Sequence, residues 1–155
     1  MDEFHEIVDE IIKNDMVLEM KKYRQHCDVS CFTHCLNVSY TCYKVAKKLG
    51  LDYVSIARAG MLHDLFLYDW HAEKGDRKGY HAFTHGKCAL DNAMKVFKLN
   101  EKEKDMIKKH MWPVTPIPPK SIEGFILTFV DKYCAVKESI YYLKNKMKKK
   151  GKRKL

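Results

Sequence analysis

Apolar residues recur at helical spacing along almost the whole chain, and this periodicity restricts the fold more than any other feature of the sequence. Near the N-terminus, Phe4, Ile7, Val8, Ile11 and Ile12 follow the i, i+3, i+4, i+7, i+8 pattern of an amphipathic helix. No segment alternates with a period of two residues for long enough to predict a β-strand. The chain is therefore predicted to be an all-α, single-domain helical bundle of about six helices.

Capping residues and prolines divide the helical pattern into segments. All four prolines lie between residues 112 and 120, which predicts a loop there. Gly50 is expected to end one helix. The expected caps at helix starts are Asp15, Asp52, Thr84, Asn100 with Glu103, and Ser121. The predicted helices cover residues 4–12, 15–23, 28–49, 53–68, 85–98, 100–111 and 121–142.

Positive charge is concentrated at the C-terminal end of the chain. Residues 144–155 contain eight Lys or Arg residues and no acid, so without them the formal net charge falls from +9 to +1. We expect residues 1–143 to form one domain and residues 144–155 to be a solvated basic tail. No strand, zinc-knuckle or recognition-helix motif accompanies this basic run, so nucleic acid is not an expected partner.

The N-terminus and the cysteines indicate a reducing compartment. The chain begins with the acidic residues Asp2 and Glu3 rather than a basic export signal, and it has no apolar run near the roughly 18 residues of a membrane span. A cytoplasmic location with reduced thiols and no membrane partner is therefore expected. Cys27, Cys31 and Cys35 recur every four residues, which stacks small apolar side chains along one helix face. We predict that all six cysteines are free and remote from any metal.

Several His and Asp residues occupy helix positions where the pattern predicts apolar side chains. His63 and Asp64 interrupt the apolar run 59–67, and Asp131 follows the apolar run 125–130. Burying an unpaired carboxylate costs several kcal/mol or forces its neutralisation, and a bound metal ion is a usual remedy. Similar positions on apolar faces of other predicted helices are occupied by His34, His85 and His110.

Taken singly, each of these polar residues can be explained as a hydrogen-bonded core residue. Taken together they would need separate compensation on five helices, whereas one cluster of cations would compensate all of them. Imidazole and carboxylate ligands suit iron, manganese, nickel or zinc. The sequence therefore predicts a metal centre built from several helices.

The order of these residues resembles that of the HD-domain metal phosphohydrolase superfamily. The resemblance covers roughly residues 30–138 and is carried by HCLNVS at 34–39, RAGMLHD at 58–64 and FVDKYC at 129–134. It implies an HD-type domain with an N-terminal helical extension over residues 1–25. The binuclear members of this superfamily have two further His residues. These members include HD-GYP cyclic dinucleotide phosphodiesterases, symmetrical diadenosine tetraphosphate hydrolases and di-iron oxygenases.

The resemblance implies two divalent transition metal ions, which could be iron, manganese, nickel, cobalt or zinc. His81 and His85 compete for one ligand position, and His85 is preferred because its His-Gly pair stands at a helix start, as in binuclear relatives. The implied ligands are His34, His63, Asp64 and Asp131 for the first ion, and Asp64, His85 and His110 for the second.

The same resemblance implies that a metal-activated hydroxide hydrolyses a phosphate ester or anhydride. A nucleotide or another small phosphorylated molecule would be the substrate. Asp64 would bridge the ions and orient the nucleophile, with Arg58 and Lys132 as further catalytic residues that neutralise developing charge. The expected substrate-binding residues are Arg58, Lys87 and His81.

Two other activities share these implied ligands and stay open at this stage. One is a di-iron oxygenase of the same fold, and the other is a binding module that senses a nucleotide without turnover. A homodimer is a further open expectation. The loop 69–80, with Trp70, His71, Arg77 and Tyr80, is predicted either to cover the site or to be an ordinary exposed loop.

Overall fold

The structure, a computed structural model, describes residues 2–72 and 79–152, which form an all-α domain with one small β-hairpin. The all-α prediction is confirmed. No helix in the described ranges is long and apolar enough to cross a membrane. The α-helices are α1 (Glu3–Ile12), α2 (Asp15–Leu18), α3 (Cys31–Lys48), α4 (Tyr53–Leu62), α5 (His81–Val96), α6 (Glu101–Lys109) and α7 (Ile122–Lys152). A 3-10 helix (Glu19–Lys22) and the strands β1 (Arg24–His26) and β2 (Val29–Ser30) lie between α2 and α3.

The antiparallel hairpin β1–β2 is absent from the sequence prediction. Arg24 pairs with Ser30 across the hairpin, and Cys27 adopts a left-handed conformation at φ 53° in the turn. Strands of two and three residues are too short to produce an alternating pattern, which needs about four or more residues. Ser30 ends the hairpin and caps α3 by accepting a hydrogen bond from the Thr33 N–H. The predicted start of this helix at Asp28 is therefore three residues early.

The N-terminal segment packs onto the core. Phe4 and Val8 of α1 are buried against Tyr43 of α3 and Ala57 of α4. The predicted helical extension over residues 1–25 thus contains α1, α2, the 3-10 helix and part of β1. The cap of α2 is Asn14 rather than the predicted residue 15, because the Asn14 side chain accepts a hydrogen bond from the backbone.

Side-chain caps confirm three of the predicted helix starts. Asp52 caps α4, Asn100 and Glu103 form a capping box at the start of α6, and Ser121 precedes α7. In each case the capping oxygen accepts a hydrogen bond from the backbone N–H three residues later. These bonds satisfy N–H groups that have no partner within the helix. Gly50, at φ 68°, follows α3 as predicted.

Two helix ends beside the predicted ligands differ from expectation. α4 ends at Leu62 with His63 as its C-cap, six residues before the predicted end. The apolar run 59–67 contains no helix-stop residue, so periodicity alone places the end too late. α5 begins at His81, so Thr84 is inside the helix rather than its cap. As a result Asp64 lies beyond a helix end, and residue 85 lies in the second turn of α5.

α3 lies at the centre of the domain and packs closely on α4 and α7. A Cβ built on Gly60 of α4 would lie 2.8 Å from the Cα of Ser39, so only glycine permits this approach of the two backbones. Cys31, Cys35 and Cys42 line the buried face of α3, as predicted for core residues. This close packing brings the end of α4 against the first half of α3.

α7 is ten residues longer than predicted. It runs to Lys152 rather than ending near residue 142. Lysine has a high helix propensity, and cations near a helix C-terminus interact favourably with the helix dipole. Most of the predicted solvated tail is therefore helical, and residues 153–155 lie outside the described ranges.

Candidate metal centre

Six buried His and Asp side chains from five segments meet in the core. His34 lies in the second turn of α3, and Asp131 lies in α7. His63 and His110 are the C-caps of α4 and α6. Their ligand atoms fall into two groups, each within 4.8 Å: His34, His63, Asp64 and Asp131, and then Asp64, His85 and His110. The structure thus brings together every residue that was predicted as a metal ligand.

The first group combines two imidazoles and two carboxylates. Asp131 Oδ1 lies 3.0 Å from His34 Nε2 and 3.5 Å from His63 Nε2. His63 Nε2 also lies 3.3 Å from Asp64 Oδ2, yet it has no hydrogen-bond partner. The His63 Nδ1–H donates to the carbonyl oxygen of Gly60 at 2.8 Å, which directs Nε2 toward the carboxylates. This is the orientation that a metal-ligating imidazole requires.

The second group places two imidazoles against one carboxylate oxygen. His85 Nε2 and His110 Nε2 are 2.9 Å apart, and they lie 3.3 Å and 3.5 Å from Asp64 Oδ1. Their Nδ1–H groups donate to the backbone carbonyls of His81 and Ile107. Both Nε2 atoms therefore point inward, and a proton or a metal ion is needed where their lone pairs converge.

Asp64 belongs to both groups and presents a different oxygen to each. Oδ2 faces His63 of the first group, and Oδ1 faces His85 and His110 of the second. The Asp64 side chain is almost fully buried, and Oδ1 has no hydrogen-bond partner. A buried carboxylate with this geometry can bridge two cations.

The charges of the cluster are tightly coupled. Burial alone would raise the pKa of Asp64, but the positive charge of His63 and the close approach of the His110 and His85 imidazoles hold it well below its ordinary value. Burial opposes protonation of His34, yet hydrogen bonds to Asp131 and Glu138 raise its pKa to about 9. The carboxylates are therefore ionised and demand cationic partners.

The residues present fit divalent metal ions. His63 Nε2 and Asp64 Oδ1 are buried polar atoms without hydrogen-bond partners, and each points into the cluster. Leaving such an atom unsatisfied costs about 1–3 kcal/mol, which coordination to a metal would remove. Nitrogen and oxygen donors of this kind suit first-row transition metals.

A comparison with protein families agrees with this geometry. The family model for the HD domain matches residues 31–136, which include all six predicted ligands. The chain belongs to the HD domain family. This superfamily consists generally of metal-dependent hydrolases that bind divalent metals. No curated protein and no solved structure matched the chain.

Two residues of this HD domain cluster were missed by sequence reasoning, and both lie outside the matched range. Gln25, buried in β1, donates a hydrogen bond of 2.5 Å from Nε2 to Asp64 Oδ2. Glu138 accepts a hydrogen bond of 3.0 Å from His34 Nδ1. The spacing of seven residues between Asp131 and Glu138 on a lysine-rich helix could have indicated Glu138, whereas no sequence pattern indicates Gln25.

Arg58 is bonded to residues at and before the start of α6, and these contacts give no support to its predicted catalytic and substrate-binding roles. Its Nε donates to Glu103 Oε1 at 2.7 Å, and Nη2 donates to the carbonyl of Lys98. These contacts lie at the start of α6, whereas His110 follows the other end of that helix.

Lys87 and Lys132 occupy contrasting positions. Lys87 is exposed and pairs with Asp91 at 2.6 Å on the surface of α5, which gives no support to its predicted contact with substrate. Lys132 is half-buried beside Asp131 and donates to the backbone carbonyls of His110 and Thr128. Burial lowers the pKa of Lys132. Lys132 therefore lies beside the cluster, and its catalytic role stays a prediction.

His81 lies next to the cluster without belonging to either ligand group. Its ring stacks on His85 at 4.3 Å and on Trp70 at 4.9 Å, and Nδ1 lies 2.9 Å from the Tyr68 hydroxyl. The geometry therefore favours His85 over His81 as a ligand. Residues 73–78 of the predicted covering loop, including Arg77, lie outside the described ranges.

The thiols nearest to the cluster make core contacts. Cys31 Sγ donates to the backbone carbonyl of Asp64 at 3.2 Å, and Cys35 Sγ lies 3.7 Å from His63 Nδ1. Cys31, Cys35 and Asp64 also have ligand atoms within 4.8 Å of one another, so these thiols are closer to the site than predicted. Burial raises the pKa of Cys35 well above its ordinary value, which keeps the thiol protonated and makes it a poor metal ligand.

Proposed function

We propose that this HD domain is a metal-dependent phosphohydrolase that cleaves a phosphate ester or anhydride of a nucleotide or another small phosphorylated molecule. The observation that carries the proposal is the position of Asp64, whose two oxygens face two separate groups of imidazoles. A carboxylate shared between two cation sites suits phosphoryl transfer. Membership of the HD domain family supports the same reaction class.

The proposal assigns the ligands to two ions. Asp64 would be a ligand of both ions, whereas each of the other residues would be a ligand of one ion. Bound divalent ions would lower the pKa of a coordinated water and polarise the phosphoryl oxygens of the substrate. The first ion would take His34, His63 and Asp131, and the second would take His85 and His110.

The neighbouring residues orient these ligands and supply positive charge. Glu138 and the carbonyl of residue 81 accept the Nδ1–H groups of His34 and His85, which fixes both rings with Nε2 toward the centre. Lys132 brings an ammonium group beside Asp131, where it can attract an anionic substrate. His81, which was predicted to bind substrate, stacks on His85 and would help to position that imidazole.

Metal reconstitution combined with a substrate panel tests the proposal. The purified protein is stripped with a chelator and reloaded separately with manganese, iron, cobalt, nickel or zinc. Metal content is then counted, and phosphate release is measured for nucleotides and phosphomonoesters. We expect activity that requires metal and saturates at two ions per chain. Lys132→Ala should lower turnover, whereas Lys87→Ala, on the exposed face of α5, should leave it unchanged.

Two other results would contradict the proposal, and each would favour one of the alternative functions. Oxygen uptake by the iron-loaded protein without phosphate release would indicate an oxygenase. Saturable nucleotide binding without turnover under every metal would indicate a sensing module.

A further inference from the structure

The outer face of α7 carries a continuous row of apolar side chains, which we call the α7 seam. Its members follow one another at alternating intervals of four and three residues. All except Ile126 are substantially exposed, by 47–72%. The α7 seam consists of Ile122, Ile126, Phe129, Tyr133, Val136, Ile140, Leu143 and Met147.

The α7 seam lies opposite the face that α7 uses within the domain. Leu127, Asp131 and Cys134 are buried against the rest of the chain. At about 100° per residue, Phe129 and Val136 point roughly 180° away from these residues. Large apolar side chains that remain exposed in a continuous row mark an interaction surface.

The spacing of the seam indicates what covers it. Alternating intervals of four and three residues give a 3.5-residue repeat, which drifts by about 20° per heptad around a straight helix. A flat apolar surface would match a 3.6-residue stripe, whereas a second helix that coils around α7 follows this drift. The repeat continues from Ile122 to Met147, which is long enough to predict a coiled coil.

The lysines beside the seam indicate the relative direction of the two helices. In a parallel pair, the lysine-rich C-terminal ends of the two helices would lie side by side, so Lys144 and Lys146 of one copy would be close to the same residues of the other copy. In an antiparallel pair with Ile122 opposite Met147, each lysine-rich end would lie beside the N-terminal end of the other copy's α7. The antiparallel arrangement therefore avoids these like-charge contacts.

We propose that two copies of this chain associate through their α7 seams as an antiparallel coiled-coil dimer. Seven exposed side chains contributing roughly 100 Å² each would bury about 1,400 Å² in the pair, within the range of stable interfaces. The inference does not depend on the proposed reaction, because the seam points away from the metal centre.

Sedimentation of the whole 155-residue chain, at concentrations from about 1 to 100 µM, tests the dimer. We expect a mass of about twice 18.3 kDa at the upper concentrations. Ile140→Lys should shift the protein to monomer, because it places a charge inside the seam. The matched control, Tyr141→Lys, changes a 69% exposed neighbour outside the seam and should leave the dimer intact. Both variants should retain wild-type helicity and metal content, which would show that the substitutions leave the fold intact.

Oxidative cross-linking determines the orientation. The double variant Ile122→Cys, Met147→Cys should form a disulfide-linked dimer, whereas each single variant should match the background of the wild-type thiols. Cross-linking in the single variants would overturn the antiparallel arrangement. The proposal that the α7 seam is a dimer interface would be overturned if the wild-type protein were monomeric at every concentration. It would also be overturned if Ile140→Lys and Tyr141→Lys weakened the dimer equally. Binding of a monomer to phosphatidylserine vesicles, lost in Ile140→Lys, would assign the seam to a membrane and overturn the dimer.

Discussion

Replacing Asp64 by Asn would remove one negative charge from the metal centre while preserving the shape of the side chain. In the structure Oδ2 accepts a hydrogen bond of 2.5 Å from Gln25, and Oδ1 lies 3.3 Å and 3.5 Å from the Nε2 atoms of His85 and His110. An amide oxygen can still accept from Gln25, and the amide N–H can donate to the facing imidazoles. We therefore expect Asp64→Asn to fold without metal.

The loss should fall on metal binding. One unit charge at about 4 Å from a cation contributes about 4 kcal/mol at an effective dielectric constant of about 20. That free energy corresponds to about a thousandfold in affinity. Because Asp64 would serve both ions, Asp64→Asn should weaken binding at both sites and abolish metal-dependent turnover.

Glu103→Gln provides the matched control. Glu103, at the start of α6, is also a buried carboxylate, but its partner is Arg58 of α4. This control should bind both ions with wild-type affinity while losing a few kcal/mol of unfolding free energy, because a largely buried ion pair is broken. Calorimetric metal titration and circular dichroism measure both effects. Binding of two ions by Asp64→Asn within about tenfold of wild-type affinity would refute the bridging role.

Gln25→Leu should lower metal affinity about 10- to 100-fold in the same titration, because Asp64 loses the donor that orients it. Unchanged affinity would exclude Gln25 from the centre. Glu138→Gln should lower the metal affinity of the first site by a similar factor, because a neutral amide is a weaker acceptor than a carboxylate for the Nδ1–H of His34. An equal loss of affinity at both sites would argue against assigning Glu138 to the first site. Gly86→Ala should lower the free energy of unfolding, measured in urea, by about 1–3 kcal/mol. The reason is that the added Cβ would lie 2.8 Å from the backbone carbonyl oxygen of Lys108 in α6. An unchanged free energy of unfolding would show that α5 and α6 can move apart without cost.

Polar residues on apolar faces were sufficient to predict the candidate ligands but not the residues around them. His63 and Asp131 stand out because a polar group that is buried within or directly after an apolar run has a high desolvation cost. The contacts of Arg58 and Lys87 could not be predicted from the sequence, because a charged residue on a helix surface can reach several neighbours. Their actual partners, an acid of α6 and Asp91, are ordinary structural contacts.

Local hydrogen bonding and helical periodicity made the all-α class, the caps at Asp52 and Asn100 and the set of candidate metal ligands predictable from the sequence. The folded structure was needed to show which oxygen of Asp64 faces which imidazoles, and that Gln25 bonds to the cluster. These contacts join segments far apart in the chain. They depend on how helices cross and where they end, and no local pattern of side chains encodes that geometry.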